Sequence, residues 1–449
     1  MNLLTILKIN KQTKMKKTIF SLLFTFFVTM LFAQDIKKAQ KYLADKQLDK
    51  AKTEIDALVA KDPSNGEANY LKAKIYGDID TSAQYKTLVT ATTLDEAFTS
   101  VKKALDDTAN VKVALMAATD KYSALINLYS NYYGNGAKSF NDAAAVSNKA
   151  GYEDAMNKFI KANEVGRYIV KKNIAKIGDI DTTLVLNIGK AALNAKKDDV
   201  AMAYFTKLAD ANINGTSEGN TGSFQIPYQW LTLHYKEAKD EANMMKYADL
   251  GKKLFPGDDY FALVEMDYYR DKKDNPSLFK KYDELVSKHP DSLIYHFNYA
   301  NDIFGYLYNS DAGVVVTNKS ALIKTLGDQV EAAYKINPND VNNSWLYAQY
   351  YYNLGIELRD SANKVRGAKP DDVKKKADIN AESKVNFNKA VPYGEKALAT
   401  LEGGYKKADK SRYKSITDLM QKIYQSMNQN DKVKAYQAKY DAADAKFAN

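Results

Sequence analysis

The sequence predicts an all-α protein made of repeated helix pairs, and three observations lead to this prediction. Glycine (21) and proline (8) are few in 449 residues, which favours long helices over a loop-rich β architecture. Apolar residues recur three and four positions apart, as they do along one face of a helix. Finally, Pro256 and Pro290 stand thirty-four positions apart, and the spacing of the residues between them returns elsewhere in the chain.

The repeating unit is first met near the N-terminus, where small and bulky residues alternate on two short predicted helices. Its positions are Ala39, Tyr42, Ala51, Ile55, Leu58 and Pro63. A small side chain lets two helix axes approach closely, and the larger side chains fill the space beside it. Pro63 ends the second helix, because the residue before a proline avoids helical geometry. A unit of this size cannot bury its apolar face alone, so it must stack on its neighbours.

Three further copies with the same spacing lie in the middle of the chain. They are Gly189, Ala192, Ala201, Phe205 and Leu208; Thr232, Tyr235, Met244, Ala248, Gly251 and Pro256; and Met266, Tyr269, Leu278, Tyr282, Leu285 and Pro290. The period and the small, tyrosine and proline positions resemble the tetratricopeptide repeat (TPR) family. The resemblance implies a right-handed superhelical solenoid of about eight or nine antiparallel helix pairs.

Insertions lengthen the other copies of the unit. They fall at Gly77–Leu94, Tyr308–Ser320 and Lys364–Asn380. The last of them is expected to displace the second helix of its unit to about Ala381–Thr400. In the third unit the first helix is expected within Val111–Ala150, where Gly134-Asn135-Gly136 is a candidate kink or break. A final helix pair is predicted over 411–427 and 432–447.

Residues 1–33 are predicted to be a signal peptide that is removed on export. The pair Lys16-Lys17 forms its basic start, and residues 19–32 form an apolar run. This run is shorter than the roughly 20 residues that a membrane-spanning helix needs. Met15 is an alternative start of the chain.

Two sub-arrays are expected in the mature chain. The segment 212–223 is rich in Asn, Gly, Ser and Thr, which is the composition of a flexible linker. It would separate an N-terminal TPR-like sub-array, 34–211, from a C-terminal one, 224–449. No other segment approaches membrane-spanning length, so we expect no transmembrane span in the mature chain.

Charge and cysteine content argue against several classes of function. The formal net charge is +10, but five lysines and no acidic residue lie in 1–33, so the remaining chain carries only +5. Its charges alternate in sign and form no basic stripe, so we expect no nucleic-acid partner. The absence of cysteine excludes disulfides, thiolate metal sites, a cysteine nucleophile and lipid attachment through a cysteine.

The residue patterns that usually carry catalysis or cofactor binding are missing. His234, His289 and His296 do not form a pair at metal-ligand spacing within one helix, and we expect them to cap helices or lie on the surface. The stretch Gly134–Ser139 resembles a phosphate loop only superficially, because its lysine does not follow a glycine. We therefore predict no enzyme, no cofactor, no metal site and no catalytic residues.

Candidate binding residues follow from the family resemblance. Members of the family line a concave groove with their first helices, at positions one residue beyond each core position. Carried over to this sequence, the putative partner groove comprises Asp267, Arg270, Asn301, Phe304, Gln349 and Tyr352. A mixture of arginine, amides and aromatics suits an extended protein or peptide partner, because aromatic side chains provide contact area at low entropic cost.

The predicted function is a non-catalytic protein–protein interaction scaffold or adaptor in the bacterial cell envelope. The periplasm is the expected location, with secretion, or association with the outer membrane through a partner, as alternatives. A second hypothesis is a glycan-binding envelope protein resembling SusD-type helical binders. The chain departs from that type by lacking cysteine and by having two distant tryptophans, Trp230 and Trp345. Triplets such as Asp107-Thr108-Ala109 are either helix caps or O-glycosylation sites.

Overall fold

The computed structural model describes residues 35–175, 181–215, 223–309, 314–367, 369–404 and 406–447. Over these residues every regular element is helical, with nineteen α-helices and two short 3-10 turns. The prediction of an all-α fold is thereby confirmed. No helix in these ranges is both long and apolar enough to cross a membrane. The predicted signal peptide, 1–33, and most of the predicted linker, 212–223, lie outside the described residues and stay predictions.

The chain divides into two compact units, of which the first ends at Asp258 and the second begins at Asp259. The helices of the first unit are α1 (35–44), α2 (Leu48–Lys61), α3 (Gly66–Thr81), α4 (Thr93–Asp106), α5 (Val111–Thr119), α6 (Ser123–Val146), α7 (Lys149–Lys171), α8 (Thr182–Asn194), α9 (Asp198–Asp210), α10 (Gln225–Glu237) and α11 (Glu241–Leu254). They pack as the antiparallel pairs α1/α2, α3/α4, α6/α7, α8/α9 and α10/α11. The short helix α5 is an addition before α6.

The second unit contains eight helices. They are α12 (Tyr260–Asp271), α13 (Asn275–Lys288), α14 (Leu293–Tyr308), α15 (Lys319–Ile336), α16 (Val341–Lys364), α17 (Pro370–Glu402), α18 (Lys410–Ser426) and α19 (Asn430–Lys446). Each odd-numbered helix packs against the helix before it, giving four pairs in this unit. Together with the five of the first unit, the described residues contain nine helix pairs, which agrees with the predicted number of repeats.

The predicted repeat positions form the core of the helix pairs. In the first pair Ala39, Ala51 and Ile55 have no exposed surface, and in α13 Leu278 and Tyr282 are each 1% exposed. Their side chains lie on the faces that the helices turn toward each other, because residues three and four apart share one face of a helix. The spacing in the sequence thus predicts the packing correctly.

Close crossings within the helix pairs use a glycine beneath a phenylalanine ring. A Cβ atom on Gly136 of α6 would lie 2.8 Å from Cδ1 of Phe159 on α7, which is closer than real contacts allow. The same pairing joins Gly189 to Phe205 and Gly355 to Phe387. Gly134-Asn135-Gly136, the candidate kink or break, does not break its helix: α6 continues through this stretch, because packing against α7 outweighs the low helix propensity of glycine.

The inserted segments differ from one another. The first insertion is a connection between α3 and α4 that contains the 3-10 turn Lys86–Leu88. The lysine-rich insertion after α16 is mostly helical, because α17 begins at Pro370 rather than near residue 381 as predicted. Pro370 at the first position, followed by Asp371 and Asp372 in the first turn, favours a helix start there.

The glycine crossings predict opposite effects for two neighbouring substitutions in α6. Gly136→Ala should lower the free energy of unfolding by about 1–3 kcal/mol, because the new methyl group meets the buried ring of Phe159. Gly134→Ala, whose Cβ would have no neighbour within 4 Å, should raise it by about 0.5–1 kcal/mol. Urea unfolding followed by circular dichroism measures both, and effects of equal sign and size would contradict the proposed crossing.

Candidate partner-binding groove

A groove of about 940 Å³ lies in the first unit, between α1, α3, α5 and the start of α6. Its aliphatic lining comes from α1, α3 and α5 and consists of Leu43, Leu71, Leu115 and Met116, with Tyr70 of α3 beside them. Leu115 is 67% exposed, so its side chain stands open to solvent at the wall that α5 forms. Such an open aliphatic surface marks a binding site more often than an isolated apolar residue does.

The charged residues of the groove are paired with one another. Three ion pairs lie along it: Lys112 with Glu67 at 2.6 Å, Lys46 with Asp78 at 3.0 Å, and Lys74 with Asp120 at 2.8 Å between nitrogen and oxygen. The charges cancel within the groove. A ligand therefore contacts aliphatic side chains and ion pairs that are already formed, and it meets no excess of positive or negative charge.

Asp120 is the most highly coordinated carboxylate of the groove. It accepts hydrogen bonds from Lys74 Nζ at 2.8 Å, from Tyr70 OH at 2.9 Å and from Ser123 Oγ at 2.6 Å. Burial acts to raise the pKa of Asp120, but the bonds from Lys74, Ser123 and Tyr70 outweigh it and leave the pKa below its usual value. Burial, and then the bond to Asp120, raise the pKa of Tyr70, so its hydroxyl stays a donor.

Sequence reasoning missed this groove because it missed α5 as a separate helix. It placed one first helix within 111–150 and a break at 134–136, whereas the chain breaks at Asp120–Tyr122. Lys121 and Tyr122 both have left-handed backbone conformation, with φ of 52° and 54°. One signal was present: Asn110 caps α5 by accepting a hydrogen bond from the backbone N–H of Val113.

The residues predicted to bind a partner lie in the second unit, on α12, α14 and α16. Arg270 is already occupied by contacts within that unit. Its Nη1 donates to Asp267 at 2.6 Å, and its Nη2 donates to Asp302 at 3.0 Å and to the hydroxyl of Tyr282 at 3.1 Å. A partner carboxylate would have to compete with Asp267 and Asp302 for this guanidinium group.

The other predicted residues differ in accessibility. Asn301 is exposed and Gln349 is half-buried. Phe304 is only 8% exposed and packs on the ring of Tyr308, with the ring centres 5.0 Å apart. Tyr352 is half-buried against Phe387. The contacts thus join Arg270 to α14, while Phe304 and Tyr352 belong largely to the core. The assignment of these six residues to a partner groove stays a prediction.

His296 and His234 both contact other side chains within the fold. His296 is buried, contrary to the expectation, and its ring nitrogens lie 2.6 Å from Gln329 Oε1 and 2.9 Å from the carbonyl oxygen of Pro290. His234 stacks on Trp230 at 4.9 Å between ring centres. Among the described residues, no group of three or more His, Asp or Glu side chains could hold a metal ion.

The tryptophans bear on the glycan-binding hypothesis. Trp230 is half-buried and packs edge-on against Phe205, and Trp345 is half-buried against the core cluster of α16 to α19. Both rings therefore serve the packing of the helices. A sugar-binding platform needs an aromatic face open to solvent, so these two tryptophans give this hypothesis no specific support.

Asp120 predicts a defined pH dependence of stability. Because the pKa of Asp120 is lowered by folding, its contribution is present above a pH of about 4, the usual carboxyl range, and is lost as the pH falls through the lowered value. Asp120→Asn should lower the free energy of unfolding by about 1–3 kcal/mol at pH 7, and by less at pH 3.

Urea titrations of the two proteins at both pH values measure this difference. Asp45→Asn, in the exposed turn after α1, is a control that should leave the wild-type midpoint unchanged at both pH values. A deficit of Asp120→Asn that is as large at pH 3 as at pH 7 would show that the charge of Asp120 contributes nothing.

Comparison with known proteins identifies no family by sequence: no protein-family model and no curated protein matches the chain. Solved structures with related arrangements include a monomeric mutant of IFIT1 with Gppp-AAAA, at 14% identity and a TM-score of 0.29, covering 84% of this chain and 74% of that chain. The TPR domain of P58(IPK) matches at 13% identity and a TM-score of 0.24, covering 89% and 99%. The human IFIT1 dimer with m7Gppp-AAAA matches at 14% identity and a TM-score of 0.23, covering 84% and 94%. These TM-scores are low, so the conclusions below depend on the contacts within the chain.

Proposed function

We propose that the chain is a non-catalytic interaction scaffold that binds a segment of another protein in the groove of its first unit. The observation that supports this most is the aliphatic lining between four helices, in which Leu115 is open to solvent, Leu43 and Met116 are half-buried and Leu71 is buried. The helix pairs hold Leu43 and Leu71 in fixed positions before a partner arrives. Preorganisation of this kind reduces the entropic cost of binding.

The groove has room for several side chains of a protein segment. Its volume of about 940 Å³ is near the upper end of the roughly 300–1,000 Å³ typical of small-molecule sites. Leu115 stands on the wall and Leu43 and Leu71 line the groove beside it, so several apolar side chains of a partner can be covered at once. A few such anchors usually provide most of the binding free energy in a protein interface.

The charge pattern supports an apolar partner segment over a strongly charged one. Lys46, Lys74 and Lys112 each have a carboxylate of the groove as partner, so a charged ligand would have to break an existing ion pair. Apolar side chains can be buried without that loss, provided that the ion pairs remain at the margin. Rim charges of this kind contribute to selectivity rather than to affinity.

We also propose that the scaffold belongs to the TPR type and works in the bacterial cell envelope, with the periplasm as its place. The repeat positions and the nine helix pairs of the described residues support the first statement. The basic pair and apolar run within 1–33 support export. Association with the outer membrane would then depend on the partner that is bound.

Two exposed aliphatic residues allow a matched test of the groove. Leu115 of α5 lines the groove, whereas Val146 at the end of α6, at 73% exposure, does not. A photoreactive amino acid at position 115 should cross-link a partner in cells that produce the protein, and one at position 146 should not. Leu115→Glu should then weaken binding of that partner by at least about tenfold, because it places a charge against an apolar anchor.

Val146→Glu is the control, since it adds the same charge to an exposed aliphatic position outside the groove. Fluorescence anisotropy or calorimetry with the identified partner measures both dissociation constants. Equal dissociation constants for the two variants, or a partner that cross-links only at position 146, would show that the groove is not the binding site.

A further inference from the structure

Five tyrosine rings from three helices meet in the second unit. They are Tyr334 of α15, Tyr347, Tyr350 and Tyr351 of α16, and Tyr393 of α17. The centres of neighbouring rings lie between 4.0 and 6.3 Å apart. Tyr347 contacts each of the other four, so the rings form one connected group. We call this group the tyrosine cluster.

Within the tyrosine cluster, Tyr347 and Tyr393 are the closest pair. Their ring centres are 4.0 Å apart and their planes are inclined by only 31°. The hydroxyl ends converge as well, because Tyr347 OH lies 3.5 Å from Tyr351 OH, and burial together with the hydroxyls of Tyr351 and Tyr393 raises the pKa of Tyr347. Since the rings lie face to face with their hydroxyls at the same end, the Cε carbons next to those hydroxyls are neighbours.

Another stacked pair in the same unit has its hydroxyls arranged differently. Tyr282 and Tyr299 stack with their centres 4.8 Å apart and their planes within 7° of parallel. Tyr282 of α13 donates to Asp302 of α14, and Tyr299 of α14 donates to Asp283 of α13. Each hydroxyl therefore reaches the opposite helix, which places the two hydroxyl ends on opposite sides of the stack. Of the two arrangements, only the tyrosine cluster brings its hydroxyl ends together.

The tyrosine cluster is accessible to small oxidants from solvent. Tyr347 is only 5% exposed, but Tyr350, Tyr351 and Tyr393 are half-buried. An electron taken from one of these half-buried rings can be replaced from Tyr347 through the ring contacts. The chain has no cysteine, whose thiolate is readily oxidised in other proteins. Tyrosine, with 33 residues, is therefore an abundant oxidisable side chain in this protein.

We propose that the tyrosine cluster is a modification site at which a small one-electron oxidant links Tyr347 to Tyr393 as dityrosine. Two oxidant molecules each take one electron, and each phenol releases its hydroxyl proton to solvent, which gives two phenoxyl radicals. The radicals couple by one carbon–carbon bond between their Cε atoms. The hydrogen on each coupled carbon then moves to a phenolic oxygen and restores both hydroxyls. The protein thereby loses two hydrogen atoms, and two oxidant molecules are reduced.

The link would join α16 to α17 covalently in a chain that cannot form a disulfide. A covalent link within one chain stabilises the fold mainly by restricting the unfolded state. The linked protein should therefore unfold at a higher urea concentration than the unmodified protein. The tyrosine cluster lies in the second unit and the partner-binding groove in the first, so this inference does not depend on the proposed function.

Oxidation of the purified full chain tests the site, with tris(bipyridine)ruthenium(III), generated by light and persulfate, as the one-electron oxidant. The protein is kept dilute so that links between chains are rare. The monomer should gain the fluorescence of dityrosine and lose the mass of two hydrogen atoms. Mass spectrometry of its proteolytic peptides should show Tyr347 linked to Tyr393, and the urea midpoint of the linked monomer should rise.

Two conservative variants make the test specific. Tyr393→Phe keeps the ring and its packing but removes the hydroxyl, so the link and most of the dityrosine fluorescence should be lost. Tyr440→Phe is the matched control, because Tyr440 is a half-buried tyrosine of α19 outside the tyrosine cluster, and it should react as the wild type does. Undiminished fluorescence in Tyr393→Phe, links only between chains, or a link of Tyr282 to Tyr299 as abundant as the proposed one would overturn the proposal.

Discussion

A tyrosine hydroxyl that donates to a carboxylate of a neighbouring helix is the interaction that recurs between the packed helices of both units. Tyr76 of α3 donates to Asp56 of α2 at 2.8 Å, and Tyr413 of α18 donates to Glu402 of α17 at 2.6 Å. The ring fills the space between two helices, and the hydroxyl must find an acceptor once it is buried there. This requirement explains why a chain with 33 tyrosines also places acids on its inward helix faces.

The same interaction links stability to the surface predicted for binding in the second unit. Tyr282 of α13 donates to Asp302 of α14 at 2.7 Å, while Tyr299 of α14 donates back to Asp283 of α13 at 2.8 Å. The two rings stack with their centres 4.8 Å apart. Arg270 completes this arrangement by reaching Asp302, so a residue chosen for its position in the repeat also holds two helix pairs together. Its role in stability and any role in binding cannot be separated by a simple deletion.

The period of the sequence predicted the fold well because it records the packing of neighbouring helices, as Ala39 and Ile55 show. The period did not predict features that depend on a contact with the next helix or on a helix outside the repeat. Gly136 looked like a helix breaker because the ring of Phe159 that covers it lies in the next helix. The helix α5 was missed because it lies outside the period, so the groove that it helps to form was missed as well. The repeat register, from which the six candidate binding residues were chosen, does not show which carboxylates and rings their side chains already contact.

The position of α5 suggests how a repeat array acquires a specific site without losing stability. Its two anchors, Asp106 and Asp120, receive bonds from Tyr168 and Tyr70, which is the same tyrosine–carboxylate interaction that joins the helix pairs. Because these bonds lie at the ends of the inserted segment, they fix α5 to the helices on either side of it. The repeats therefore provide the stability, and the inserted helix, which contributes only Val113 and Ala117 to the core, presents Leu115 to the groove.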